Sequence, residues 1–248
     1  MKDISVHAHI FYEDAGIYLL NKLAKLWSGK VYLSLIKDNC ANEVFLSLAH
    51  TLFSSVDYVL VENKGTDQYG FIKSFQQNKE QTKWILYWHD KHISKQKWFD
   101  DLTDIFLDEN NNKVLQRYTG NISSCGIVSS SKHKTVTSSL VDLASIGHNI
   151  GIDNRQKLVR SFHTLFWLKE LQFLFKLNYN IYNEEHAFPM FTAGNVFLIR
   201  REILTKVHNI IHDNYFENFY REDGDVGHAL ERFYYYASSC LGYQNRFL

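Results

Sequence analysis

Five short apolar runs mark the first half of the chain: Ile4 to Ile10, Val31 to Ile36, Asp57 to Val61, Lys83 to Trp88 and Gly126 to Ser129. Their length and their β-branched and aromatic content suit strands, and segments of helical periodicity lie between them. Parallel neighbours in a sheet need a crossover of a dozen or more residues, which a helix supplies. The alternation therefore predicts an α/β fold with a largely parallel sheet flanked by helices. In the first run Ile4, Val6, Ala8 and Ile10 alternate with Ser5, His7, His9 and Phe11, so one face is apolar and both histidines point to the other. Asp14 is placed to cap the next helix, whose stripe is Leu19, Leu20, Leu23, Leu26 and Trp27. A second helix is expected from Val44 to Phe53. The later chain offers a helical stretch from about Arg155 to Asn178, a segment from Phe188 to Arg201, and a final helix from about Asp225 to Leu241. Val226, Ala229, Leu230, Phe233 and Ala237 are the expected core face of that last helix.

The 248 residues show no internal repeat and no low-complexity linker, and Pro189 is the only proline. That length suits one domain, with a first half to about residue 130 and a second from 131 to 248. Lys plus Arg (27) balances Asp plus Glu (27), which argues against nucleic acid as a partner. Cys40, Cys125 and Cys240 are few, far apart and odd in number, so neither a zinc knuckle nor a disulfide framework is indicated. The N-terminus lacks the cationic start and apolar core of a secretory signal, and no apolar run reaches the roughly 18 residues of a membrane span. A cytoplasmic protein is expected. Aromatic residues reach 15%, enough to serve both a core and stacking platforms for sugars or bases.

In α/β sheets ligands bind beyond the carboxyl ends of the strands. Three polar clusters fall there: Tyr12-Glu13-Asp14, Asn63-Lys64-Gly65-Thr66-Asp67 and His89-Asp90-Lys91-His92. The last can bind a divalent cation, hold a diphosphate through Lys91 and the imidazoles, or be an ordinary polar strand exit. His7 and His9 are either metal ligands or a pair satisfied by neighbouring backbone. Asn63 and Gly65 suit a turn with positive φ. Gly194, before the strand-like Val196 to Arg200, marks either a β-bulge or a close approach of ligand to backbone. Arg221-Glu222-Asp223-Gly224-Asp225 opens the final helix, as a dipole-stabilised cap or as the seat of a general base. Asp225, His228 and Arg232 then follow at i, i+3 and i+7, off the core stripe. A second chemistry, metal-dependent hydrolysis by His7, His9, His89, Asp90 and His92, uses the same strand ends. A third reading is a glycan-binding module without turnover. Phosphate-loop, dinucleotide and nucleophile-elbow motifs do not occur.

In order along the chain, these segments resemble one family: rhamnan synthesis protein F and related bacterial polysaccharide glycosyltransferases. Val6-His7-Ala8-His9-Ile10-Phe11-Tyr12 is similar to that family's His-x-His-x-Phe-Tyr opening. Glu62-Asn63-Lys64-Gly65-Thr66-Asp67 is similar to its Asn-Arg-Gly-Arg-Asp element, with Thr66 in place of an arginine. Trp88-His89-Asp90-Lys91-His92 stands where the family has Leu-His-Thr-Lys-Lys. Phe191-Thr192-Ala193-Gly194-Asn195-Val196-Phe197 resembles Phe-x-Ala-Gly-x-Met-Phe, and Asp223-Gly224 through His228-Ala229-Leu230-Glu231-Arg232 resembles Asp-Gly-x-x-x-His-Ala-Leu-Glu-Arg.

The resemblance implies a Rossmann-like GT-A fold and transfer of a sugar from a nucleotide donor, of UDP-galactofuranose or dTDP-rhamnose type. The acceptor it implies is a glycan or lipid-linked glycan of a surface polysaccharide (O-antigen or capsule), glycosylated with inversion. It places Asp223 as base with Glu222 beside it, and Asp90 in the diphosphate or metal position, with Mn²⁺ or Mg²⁺ as the ion. His7, His9, Phe11, Tyr12, Asn63, Lys64, Gly65, Asp67, His89, Lys91 and His92 would line the nucleotide-sugar cleft. Gly194, Asn195, Asp225, His228 and Arg232 would border donor sugar and acceptor. It also implies work at or near the inner face of the cytoplasmic membrane, and allows the chain to be one module of a larger glycosyltransferase.

Overall fold

The protein is represented by a computed structural model that describes residues 3–107, 113–120, 124–136, 152–181, 189–216 and 225–248. Its strands are β1 (Ile4–Ile10), β2 (Lys30–Ile36), β3 (Ser55–Val61), β4 (Trp84–His89), β5 (Cys125–Ser129), β6 (Lys134–Thr135), β7 (Phe191–Thr192), β8 (Phe197–Arg200) and β9 (Gln244–Phe247). Its helices are α1 (Glu13–Ala24), α2 (Asn42–Leu52), α3 (Thr66–Gln77), α4 (Gln96–Thr103), α5 (Lys113–Thr119), α6 (Ile152–Tyr179), α7 (Arg201–His208) and α8 (Val226–Cys240). Seven strands form one sheet in the order β3-β2-β1-β4-β8-β5-β9, while β6 and β7 pair in a small antiparallel ribbon. Only β8 runs against its neighbours; the other strands of the large sheet are parallel to one another. This is the Rossmann-like α/β architecture of GT-A type. Strand β8, from the second half of the chain, lies between β4 and β5, so the two halves share one sheet.

Alternation along each strand sends side chains to two cores. Ile4, Val6, Ala8 and Ile10 of β1, with Trp84, Leu86 and Trp88 of β4, pack under α1, α2, α4 and α5. Ile85 and Tyr87 of β4, with Phe197 and Ile199 of β8, pack under α3, α6, α7 and α8. The expected core face of α8 is buried throughout. Both faces of the inner strands are thus dry, as parallel sheets require.

The expected elements are present with small shifts in their ends, and three features differ. Helix α1 starts at Glu13 after Tyr12, so Asp14 lies in its first turn, where it complements the helix dipole, and is not the cap. Strand β9 (Gln244-Asn245-Arg246-Phe247) has no apolar run to announce it, and backbone pairing with β5 forms it. Asp225, expected on the solvent side, is 3% exposed and caps α8.

The polar face of β1 lies beneath α3, where each side chain finds a partner. Ser5 Oγ meets Thr82 Oγ1. His7 bonds Ser74 Oγ and Asn78 Nδ2, both at 3.0 Å, and stacks on Tyr32 at 4.8 Å between ring centres. His9 Nδ1 bonds Ser34 Oγ at 3.0 Å. Gly70 allows α3 to come this close, since a Cβ there would lie 2.4 Å from His9 Nδ1. These hydrogen bonds offset the cost of burying imidazoles in a strand otherwise made for a core.

Burial holds the imidazole pKa of His7 at about 3, of His9 at about 4, and of His89 and His208 at about 3. The unfolded chain takes up protons near pH 6.5 that the folded chain refuses, so this stability is complete above pH 6.5 and is lost as pH falls. Asp90, raised by burial to about 7, acts in the opposite sense over the same window. The four imidazoles outweigh it, and unfolding free energy should fall by on the order of 3 kcal/mol per pH unit between pH 6 and 5. Urea unfolding at those two pH values measures this. His7→Gln, which can keep the bonds to Ser74 and Asn78, should make the dependence shallower, and equal stability at both pH values would contradict the assignment.

Candidate functional site

After β1 the chain moves outward through β2 and β3, then returns to place β4 on the other side of β1. The reversal leaves a crevice at the carboxyl ends of β1 and β4, where their following loops part. A cavity of about 320 Å³ lies there. Phe11 and Tyr12, leaving β1, form one wall, and Asp90, Lys91 and His92, leaving β4, form the next. Asn63, Thr66 and Asp67, from the end of β3 and the start of α3, contribute a third. The first two turns of α8 contribute a fourth wall with Gly227, His228 and Glu231.

Two glycines set that last contact. Gly65 (φ +62°) and Thr66 (φ +55°) take consecutive left-handed conformations where α3 begins, and a Cβ on Gly65 would strike the Phe216 ring. Gly227 of α8 packs on this turn, where a Cβ would lie 2.7 Å from Gly65 O and from Thr66 Oγ1. Asp225 caps α8, its Oδ1 accepting the His228 N–H at 2.9 Å and meeting His228 Nδ1 at 2.6 Å. The cap thereby fixes the ring that lines the cavity.

Below lies a buried polar network. Asp67 accepts from Gln68 Nε2 (2.9 Å), the Tyr87 hydroxyl (3.1 Å) and Asn195 Nδ2 (3.4 Å). Burial pushes its carboxyl up, but His89, Lys91, His9 and the Tyr87 hydrogen bond outweigh burial and hold it below the usual range. The Gly194 peptide is gripped from both sides: its N–H donates to Glu231 Oε1, and its carbonyl accepts from His89 Nε2 at 2.6 Å. Gly194 has φ +114°, and a Cβ there would lie 2.5 Å from Leu102 Cδ1. Asn195 follows with φ +47°. It lines the cavity while 5% exposed, and its buried Oδ1 has no hydrogen-bond partner among the described residues.

Asp90 turns one carboxylate oxygen back to the protein: Oδ2 accepts the Phe11 and Tyr12 N–H groups at 2.9 and 2.6 Å. Burial outweighs those two bonds and raises its pKa to about 7. Lys91 has its Nζ 4.9 Å from the centre of the Trp98 ring, which Lys95 shares at 5.4 Å. Burial pushes the Lys91 pKa down, against the pull of the Asp67 and Glu231 charges.

Of the residues expected at a site, His9, Phe11, Tyr12, Asn63, Asp67, His89, Asp90, Lys91, His92, Asn195 and His228 line this cavity together. Others do not. His7 has both ring nitrogens bonded beneath α3. Lys64 lies on the Tyr69 ring, 4.5 Å from its centre. Gly65, Gly194 and Asp225 shape the walls without lining them, and Arg232 packs over the Phe191 ring and donates to His228 O. Glu222 and Asp223 lie outside the described residues. Glu231, Gly227, Thr66 and Lys95 also line the cavity, although none was singled out as a site residue in the sequence. Glu231 falls one helical step beyond His228, a spacing that could have found it.

The three lining carboxylates are engaged: Asp67 by its three donors, Asp90 by two backbone amides, and Glu231 by Gly194 and Arg232. Among the described residues no group of three or more His, Cys, Asp or Glu comes together to hold a metal ion. The same geometry breaks up the five-ligand hydrolase centre, since His7 is in the core and His89 is committed to Gly194. Nor is any described helix long and apolar enough to cross a membrane.

No curated protein matches the chain. The family model described as rhamnan synthesis protein F matches residues 1–243, from before β1 to the start of β9, and so takes in every wall of the cavity. The chain belongs to the rhamnan synthesis protein F family, and its place is in polysaccharide synthesis.

Proposed function

We propose that the chain is a glycosyltransferase that moves a sugar from a nucleotide-sugar donor to a hydroxyl of a growing surface polysaccharide, with inversion. One juxtaposition carries this reading. Lys91, a half-buried lysine, and Asn195, a buried amide side chain, line the same cavity at the strand reversal. A nucleotide sugar has the matching parts, a diphosphate for the lysine and hydroxyls for the amide. In the proposed orientation the nucleoside lies toward Phe11, Tyr12 and His92, where Tyr12 is 39% exposed and able to stack. The diphosphate meets Lys91 and Lys95, and the sugar lies between Asn195, Glu231 and His228.

The acceptor oxygen then attacks the anomeric carbon from the face opposite the diphosphate. Its O–H proton passes to Asp223, a new C–O bond forms, and the electron pair of the breaking C–O bond leaves with the nucleoside diphosphate. Charge accumulates on that leaving group, so a preorganised cation in a site of reduced dielectric gives more stabilisation than it would in water. His9 and His89 are neutral at physiological pH, which leaves the lysines to carry this role. UDP-galactofuranose and dTDP-rhamnose are the donors proposed.

Asp223→Asn should lower turnover at least about a hundredfold while leaving donor affinity nearly intact, as expected for a group needed only in the transition state. Turnover equal to the parent would remove Asp223 as the base. Lys91→Met keeps the packing on Trp98 and removes the charge. It should reduce kcat/KM by about 10- to 100-fold with little change in thermal midpoint. Steady-state transfer assays with each donor, beside calorimetric titration of donor binding, read both variants. Donor binding with neither transfer nor hydrolysis would point instead to a glycan-binding module.

A further inference from the structure

Helix α6 is apolar on two sides, and among the described residues only one of them is covered. Leu165, Leu168, Leu171 and Phe175 face inward and are buried, with Phe175 edge-on to Phe233 of α8 at 5.6 Å. Val159, Phe162, Phe166, Phe173 and Leu177 recur at intervals of three, four, seven and four residues, forming a stripe along the outer side. Phe166 is 65% and Phe173 61% exposed. Exposed phenylalanines scattered singly need no explanation, but five large apolar side chains aligned over more than four turns do.

The charge of the helix narrows the choice of occupant. Within Ile152–Tyr179 the sequence carries Arg155, Lys157, Arg160, Lys169 and Lys176 against Asp153 and Glu170, five cations to two acids in a chain that is neutral overall. Lys169 and Lys176 follow one edge of the stripe by helical position. A second copy docked on this face would bring two net-cationic helices together. An anionic lipid surface would take the phenylalanines among its acyl chains and the lysines among its headgroups. The seven charged residues also keep the helix from spanning the bilayer, so it would lie in the interface.

We infer that the outer face of α6 is a docking surface for anionic membranes, with Phe162, Phe166 and Phe173 as its anchors. The inference does not depend on the reaction proposed above. Co-sedimentation of the full chain with phosphatidylcholine vesicles, and with vesicles of phosphatidylcholine and phosphatidylglycerol in equal parts, tests it. The chain should pellet with the anionic vesicles and stay in solution with the neutral ones, and raised salt should weaken binding. F166S/F173S should weaken partition at least tenfold while far-UV circular dichroism and thermal midpoint stay unchanged, because both rings are exposed. In Phe166→Trp, brominated phosphatidylglycerol should quench the added fluorescence, a measurement independent of the serine variant. Three results would overturn the inference: no pelleting with anionic vesicles, equal pelleting of the double variant, or a dimer in sedimentation velocity that F166S/F173S abolishes.

Discussion

The carboxylate of Asp90 accepts the backbone N–H groups of Phe11 and Tyr12 and so ties together the two loops that part at the strand reversal. Without it the exits of β1 and β4 would keep the backbone bond from Asp90 N–H to His9 O, but the Phe11 and Tyr12 amides would lose their acceptor. Such a bond is costly to build, because the carboxyl is almost fully buried and its pKa is raised to about 7. The arrangement is tolerated because the two charge-assisted bonds return part of the desolvation cost and satisfy amides that no strand partner reaches. Everything that faces the cavity from the early strands takes its position from this tie, Lys91 most directly, as the next residue in the chain.

The later half of the chain meets that frame through small residues. Gly227 brings α8 onto the Gly65–Thr66 turn, and Gly194 lets its loop pass Leu102. Each contact is then locked by a polar bond: Asp225 to His228 at the helix start, and His89 and Glu231 to the two ends of the Gly194 peptide. His7, His9 and His89, read in the sequence as possible ligands, thus act as neutral hydrogen-bonding groups that hold backbone and side chains in place. Burial explains their neutrality, since an imidazolium enclosed under α3 would lose its hydration with no carboxylate bonded to it in return.

Much of this was legible in the sequence because it obeys short-range rules. Period-two alternation in β1 and helical spacing in α8 both act within one element, and both faces were read correctly from Ile4, Val6, Ala8 and Ile10 and from Val226, Ala229, Leu230 and Phe233. The gathering of Asn63, Asp90 and Lys91 followed from the rule that parallel strands present their exits on one edge. What stayed hidden depends on contacts between distant segments. His7 and His9 have the same pattern in sequence, yet only His9 reaches the cavity, because α3 covers the earlier position with Ser74 and Asn78. Glu231 reads as one more charge on a helix until the Gly194 loop arrives to use it. Strand β9 exists only because β5 offers an open edge, a tertiary cause that its own four residues do not carry.

The division of labour between histidine and lysine bears on the chemistry itself. In the proposed transfer the site holds a diphosphate and then releases it as a leaving group, which needs positive charge that is present before the substrate arrives. His9 and His89, with pKa values near 4 and 3, cannot provide it without first taking a proton into a dry interior. Lys91 is the group proposed for it: burial lowers its pKa, while the Asp67 and Glu231 charges pull in the opposite direction and favour the charged form. Those two carboxylates are themselves held by hydrogen bonds, Asp67 to Tyr87 and Gln68 and Glu231 to the Gly194 amide, so neither needs to close on the lysine. The Lys91 Nζ lies over the Trp98 ring instead, with both acids acting on it from a distance. That arrangement gives Lys91 the same reason to be there in the ground state and in the transition state, with the larger effect where the leaving charge develops.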